Sequence, residues 1–227
     1  MRFSVFAFAL FITLSSCKKA EKPQVDLGFD YYPNAIGSQI VYSVDSIVYN
    51  SFTLTVDTFK FEIKEVQKEQ IKDDGGRDIV VMSRWKNSPK KGWKEVKSWQ
   101  FYKDNFIVEE QKENLRIVKM NFPVVDGQSW DANVRNTQAS QTYRLTGPQS
   151  EIILGNSYSE VVIVDQLDES DPLQLQVNRA FEKYAKGVGL VYKYNKSLKR
   201  FTTGEPGDVP IDSGLIYIQQ IKSHSGQ

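Results

Sequence analysis

Few residues in this 227-residue chain carry reactive chemistry, and their scarcity is informative. There is one Cys, Cys17, and one His, His224. Those counts exclude an intrachain disulfide, a Cys-rich zinc site and a His-based metal cluster. A lone His near the last residue gives no foothold for a Ser-His-Asp or Cys-His device. Two stretches bring functional groups together. Arg84-Trp85-Lys86 through Lys90-Lys91-Gly92-Trp93 to Trp99 and Tyr102 interleaves aromatic rings with lysines. Trp85, Trp93, Trp99 and Tyr102 are therefore the candidate ligand surface. Such a pattern suits stacking on a sugar or facing an anionic surface. It also fits a hairpin turning at Pro89 and Gly92, with lysines in water and rings in the core. Trp93 and Trp99 share strand parity, which places them together on that core face. The second stretch, Asp165-Gln166-Leu167-Asp168-Glu169-Ser170-Asp171, clusters carboxylates but lacks the spacing and Gly of an EF-hand loop. It reads as a solvated connection between strands.

No phosphate-binding glycine loop, nucleophile elbow or zinc-protease motif is present. No catalytic residue, metal ligand or cofactor is nominated, and the chain is expected not to be an enzyme. Once the first 16 residues are set aside, acids and bases balance, which argues against a nucleic-acid partner.

The chain opens with Met1-Arg2, followed by an apolar run from Val5 to Leu14. That run matches a signal-peptide core and is too short to span a bilayer as a helix. It ends in Leu14-Ser15-Ser16-Cys17, which resembles the bacterial lipobox. The resemblance implies cleavage between Ser16 and Cys17, a diacylglyceryl thioether on Cys17, and acylation (palmitate or a similar chain) of the new amine. Two or three acyl chains hold a domain firmly on a membrane. Residues 1–16 are thus read as signal peptide and 17–28 as a lipidated tether, with one domain over 29–227. The tether is Lys-rich (Lys18, Lys19, Lys22), which leans toward the outer membrane with the domain facing the periplasm.

From Phe29 on, alternation of apolar and polar residues dominates, as in Phe59-Lys60-Phe61-Glu62-Ile63-Lys64. Turn residues punctuate it at Asp73-Asp74-Gly75-Gly76, Lys103-Asp104-Asn105, Gly147-Pro148 and Gly155-Asn156. Val177 to Lys186 fits helical spacing, but Leu173, Leu175, Val177 and Phe181 also fit a strand, which is the preferred reading. Lys196 to Ser213 reads as a long loop. The fold class expected is all-β: a single, mainly antiparallel domain forming a curved half-barrel or open barrel. One motif occurs twice. Tyr32-Pro33-x-x-x-Gly37 leads to Ile40, and Phe122-Pro123-x-x-x-Gly127 leads to Trp130. Duplicated half-domains would produce it, and so would two similar strand lead-ins within one domain.

Tyr184-Ala185-Lys186-Gly187-Val188-Gly189-Leu190-Val191-Tyr192-Lys193, with the closing segment Gly214 to Ile221, resembles a pattern in uncharacterised envelope lipoproteins of the Bacteroidetes. The resemblance implies a β-rich envelope lipoprotein and brings no known activity. The expected role is non-catalytic: binding an apolar ligand or an envelope partner protein, with membrane contact through the lipid. Glycan binding or processing at the exposed tryptophans is the alternative.

Overall fold

The computed structural model describes residues 25–170, 175–200 and 211–226. The expected signal peptide, the expected Ser16–Cys17 cleavage site and most of the expected tether lie outside the described residues. After a short 3-10 turn at Phe29–Tyr31 come twelve strands. They are β1 (Gln39–Asn50), β2 (Thr55–Lys72), β3 (Asp78–Ser88), β4 (Gly92–Lys103), β5 (Ile107–Lys112) and β6 (Leu115–Asn121), then β7 (Ser129–Asp131), β8 (Thr142–Ile153), β9 (Asn156–Ser170), β10 (Gln176–Ala185), β11 (Gly189–Arg200) and β12 (Ile211–Ser225). All pair antiparallel in one sheet ordered β6-β5-β4-β3-β2-β1-β12-β11-β10-β9-β8-β7. The all-β expectation holds, and the segment from Val177 is strand.

The order has a simple logic. Two six-stranded meanders, β1–β6 and β7–β12, join where the first strand meets the last. The β1–β12 ladder runs from Gln39 opposite Ser225 to Tyr49 opposite Gly214. Each meander opens on one copy of the repeated motif, and the two copies make the same bonds. The Gly37 amide donates to Gln67 O (2.7 Å), and the Gln67 amide donates to Ser38 O (3.0 Å). The Gly127 amide donates to Leu145 O (2.9 Å), and the Leu145 amide donates to Gln128 O (2.8 Å). Gly37 and Gly127 both adopt left-handed φ, +87° and +79°, where a Cβ is disfavoured. The repeat therefore marks equivalent turns at the head of each half.

The outer strands, β6 and β7, curl toward each other without forming a ladder. The Val118 amide donates to Ala132 O (3.0 Å), and Trp130 Nε1 donates to Val118 O (2.9 Å). The result is a nearly closed barrel with a seam. Bulges supply the curvature, since an extra residue bends its strand. Register shifts leave Lys68, Val96, Lys119, Gln166, Val191 and Lys222 as the extra residues. One apolar cluster, including Phe101, Met120, Trp130, Tyr143 and Leu145, fills the seam side. Another, including Tyr42, Val44, Ile63, Val161 and Ile221, lies near the β1–β12 junction.

Several sequence expectations change in detail. Asp165 to Glu169 belong to β9, not to a connection. Gly147-Pro148 lies inside β8, where the register shifts, and is not a turn between strands. Lys196 to Arg200 and Ile211 to Ser213, expected as loop, belong to β11 and β12, and the rest of that expected loop lies outside the described residues. Asp26 to Gly28 are pinned to the barrel: Leu27 O accepts from the Val124 amide (3.0 Å), and Asp26 pairs with Lys186 (2.5 Å).

Candidate functional site

The barrel interior contains charge where alternation would place apolar side chains. On β10, Glu182 shares the inward face with Tyr184, and its carboxylate is 2% exposed. Its Oε2 meets Lys119 Nζ (2.5 Å) and accepts from Tyr184 Oη (2.7 Å) and Gln166 Nε2 (2.8 Å). Its Oε1 meets Lys193 Nζ at 2.7 Å. On β5, Glu110 accepts from Tyr32 Oη (2.7 Å) and from Lys112 Nζ (2.5 Å). Between β2 and β3, Glu65 accepts from Nε and Nη2 of Arg84.

Bulges explain how some of these groups turn inward. Lys119 is the extra residue of β6 opposite Val108 and Glu109, and Gln166 is the extra residue of β9 opposite Ala180 and Phe181. Burial pushes the Glu182 carboxyl up, but Lys119 and Lys193 outweigh it and hold the group well below the usual range. Burial also raises Glu110, and Lys112 with Lys119 overcomes it, bringing that carboxyl to about 2. Burial pulls Lys112 down, against the pull of Glu110. Tyr32, Tyr42 and Tyr184 are raised well above the phenol range, first by burial.

Beside this cluster lies a cavity of about 60 Å³, with Gln67, Arg84, Trp99, Glu110, Lys112 and Lys193 in its wall. It has space for a few waters and falls far below the several hundred Å³ of ordinary ligand pockets. Among the described residues, no group of three or more His, Cys, Asp or Glu side chains is arranged to hold a metal ion.

The four residues of the candidate ligand surface do not form one face. Trp99 is 6% exposed and faces the interior, with Arg84 and Lys112 each 4.9 Å from its ring centroid. Trp93 is half-buried and shares Lys64 with Trp85, the ammonium lying 5.0 Å and 5.5 Å from their centroids. The bulge at Val96 breaks the parity that would have put Trp93 beside Trp99. Tyr102 is on the outside, under the Arg77 guanidinium (4.7 Å), with its hydroxyl on Asp104 (3.0 Å).

Sequence reading missed Glu65, Glu110, Lys112 and Glu182, although a signal existed for the first three. Glu65, Glu110 and Lys112 sit on the apolar parity of their strands, as in Ile63-Glu65-Gln67 and Val108-Glu110-Lys112, whereas Glu182 lies opposite the Val177 and Phe181 alternation of β10 and gave no such signal. Lys119 and Gln166 gave no such signal because bulges set their direction.

The end of the barrel away from Val25 carries a different feature. The β1–β2 hairpin projects beyond its neighbour: β2 pairs with β3 only from Ile63 onward, while Thr55 to Glu62 pair with β1 alone. Among the described residues no strand covers the other edge of that segment. Its tip exposes Phe52 (95%) and Leu54 (75%), with Val56 and Phe59 more than half exposed.

No family model matches the chain, and no curated protein matches it. Two solved structures are similar in outline. One is a candidate lipoprotein from Parabacteroides distasonis ATCC 8503, 10% identical over 85% of this chain and 98% of that one, with a TM-score of 0.38. The other is an exported protein with a YmcC-like fold from Bacteroides fragilis NCTC 9343, with the same identity and coverage and a TM-score of 0.35. At these scores the likeness assigns no chemistry to this chain.

Proposed function

We propose that this chain is a non-catalytic envelope lipoprotein, anchored through acylated Cys17, that binds a partner protein through the projecting β1–β2 hairpin. The hairpin tip carries the reading. A contiguous exposed apolar patch usually marks an interaction surface, and an open strand edge is a template for an added strand. The partner is therefore a protein that lays an extended segment along Thr55 to Glu62 and covers Phe52 and Leu54. From Asn50 to Phe59 the hairpin contains no Lys or Arg, whereas adsorption on an anionic lipid surface draws on such residues. The adjacent β3–β4 turn supplies Lys90 and Lys91, so an acidic flank on the partner complements it.

An apolar ligand inside the barrel fits poorly: the interior is charged and its free volume is small. Glycan stacking also has little support, with Trp99 in the interior and Lys64 across Trp85 and Trp93. The non-catalytic reading draws on the Glu110 and Glu182 carboxyls, which their neighbouring lysines hold below the usual carboxylate range, too acidic for efficient general acids at ordinary pH.

A photo-crosslinker placed at Thr58 in the membrane-bound protein tests the reading. It should trap one discrete partner, and Phe52→Asp with Leu54→Asp should abolish the adduct without lowering the melting temperature. A crosslink that persists in the double variant, or joins two copies of this chain, would overturn it.

A further inference from the structure

We propose that the end of the barrel nearest the tether is a membrane-contact rim, whose exposed apolar loops enter the lipid interface. The proposal rests on the reading of Cys17 as an acylated anchor. Strands are antiparallel and follow one another within each meander, so their connections alternate between the two ends. The β4–β5, β6–β7 and β8–β9 connections therefore share the end that carries Val25. Each exposes large apolar side chains at or beside its turn: Phe106 (71%), Val125, and Ile152 (74%) with Leu154. Val25 is exposed as well. Hydrogen bonds tie these positions into one arc. Leu27 O accepts from the Val124 amide (3.0 Å), joining the stretch after Val25 to the loop of Val125. The Phe122 amide donates to Phe106 O (2.7 Å), joining the same loop to the β4–β5 turn. Asp126 Oδ1 accepts from the Gly147 amide (3.0 Å), joining it to β8, the strand that leads to Ile152. The acids of the arc are engaged locally. Asp104 accepts from the amides of Phe106 and Ile107 (2.7 and 2.8 Å), which closes the turn and leaves the Phe106 ring outside. Asp26 and Glu160 both pair with Lys186.

The length of chain that leads to the anchor names the occupant. Val25 is eight residues on from Cys17, a reach of at most about 29 Å at full extension. Acyl chains in the bilayer therefore hold this end of the barrel against the lipid surface. Insertion of the rim becomes an intramolecular event, at high effective concentration. Side chains too few to recruit the protein to a membrane by themselves suffice to dock it once it is tethered. Lys18, Lys19 and Lys22 of the tether add attraction to anionic headgroups. Single apolar residues scattered over a surface are ordinary, whereas a run of them on three successive connections around the tether is a patch. The β1–β2 hairpin has no such access. The 12 residues of β1, about 40 Å of strand, separate its tip from the tether end. A docked rim stands the barrel upright and turns that hairpin away from the bilayer, where a partner can reach it.

The test uses the full chain, acylated in cells and reconstituted in vesicles of phosphatidylethanolamine and phosphatidylglycerol. Cys17 is the only cysteine, and acylation blocks its sulfur. Phe106→Cys, Val125→Cys, Ile152→Cys and Leu54→Cys, made singly, therefore each take one environment-sensitive fluorophore. The first three labels should be blue-shifted and quenched by nitroxide-bearing lipid. Aqueous iodide should quench them at least threefold less than the Leu54→Cys label, which stays in water. Adding Phe106→Ser and Ile152→Thr to Val125→Cys should leave the melting temperature unchanged and restore iodide quenching of its label. Rim labels as open to iodide as the one at Leu54→Cys would overturn the proposal and leave the anchor standing. Labels shielded from iodide yet untouched by nitroxide lipid would also overturn it, since a protein surface, such as a second copy of this chain, then covers the rim. A chain that fails to float with the vesicles refutes the anchor, and the rim with it.

Discussion

At the scale of single residues, the interior is organised by Glu182, which holds two lysines by ion pairs and two neutral donors by hydrogen bonds. Replacing it by Gln leaves Lys119 and Lys193 buried without their counter-ion. Breaking a buried pair this way costs about 3–5 kcal/mol, so denaturant unfolding of Glu182→Gln should show a loss of that size. The pH dependence follows from the same carboxylates. Glu110 titrates near 4.5 when unfolded and at about 2 when folded, so the folded state favours its ionised form. Its contribution is complete above pH 4.5 and fades as the pH falls toward 2, for a total on the order of 3 kcal/mol. Glu110→Gln should flatten the stability profile across that interval, as read by urea midpoints at stepped pH. These charges were partly legible in the sequence. Glu65 and Glu110 interrupt apolar parity, a pattern visible without coordinates, whereas Glu182 lies off the Val177 and Phe181 alternation of its strand. Lys119 was hidden, because its direction depends on a bulge whose position is set by the partner strand.

At the scale of elements, alternation located most of the strands, because one face of each is buried and a period of two is imposed on it. It failed where strands bend. Gly147-Pro148 looked like a turn and lies within β8, and Trp93 was assigned to the wrong face by the bulge at Val96. The three-residue β7 is too short for periodicity to reveal. Trp130, on β7, carries much of the seam: its ring packs on Tyr143, and its indole donates to Val118 O. Trp130→Ala should cost about 3–5 kcal/mol, and amide exchange at Val118 should accelerate before that at β1. The repeated turns make a paired prediction. Gly37→Ala and Gly127→Ala each force an alanine into left-handed φ, at about 1–2 kcal/mol apiece. The two losses should agree closely in thermal denaturation, because the turns share geometry and bonding.

At the scale of the whole molecule, the described chain has a clear polarity. Val25 to Gly28 sit at one end, beside Val124 and Lys186, and the apolar hairpin projects from the other. β1 rises about 3.3 Å per residue over its 12 residues, so the tip stands some tens of Å from the end that holds Val25 to Gly28. Cys17→Ala should move the protein from the membrane to the soluble fraction after cell lysis. Retention on the membrane would refute the lipid anchor. The all-β character was legible from patterning. The pairing of β1 with β12 was not, because nothing local in either strand names a partner so far along the chain.

That pairing also imposes an order in time. Gln39 meets Ser225 across 186 positions of sequence, and neither half-sheet can dock on the other until the last strand is available. Contacts of such long range slow folding, because the chain must close a large loop before any contact repays it. A chain stopped short of β12 has an open β1 edge and no junction. The two meanders are built from neighbouring strands and need no such wait, so it is the joining of the halves, and with it the finished barrel, that comes late.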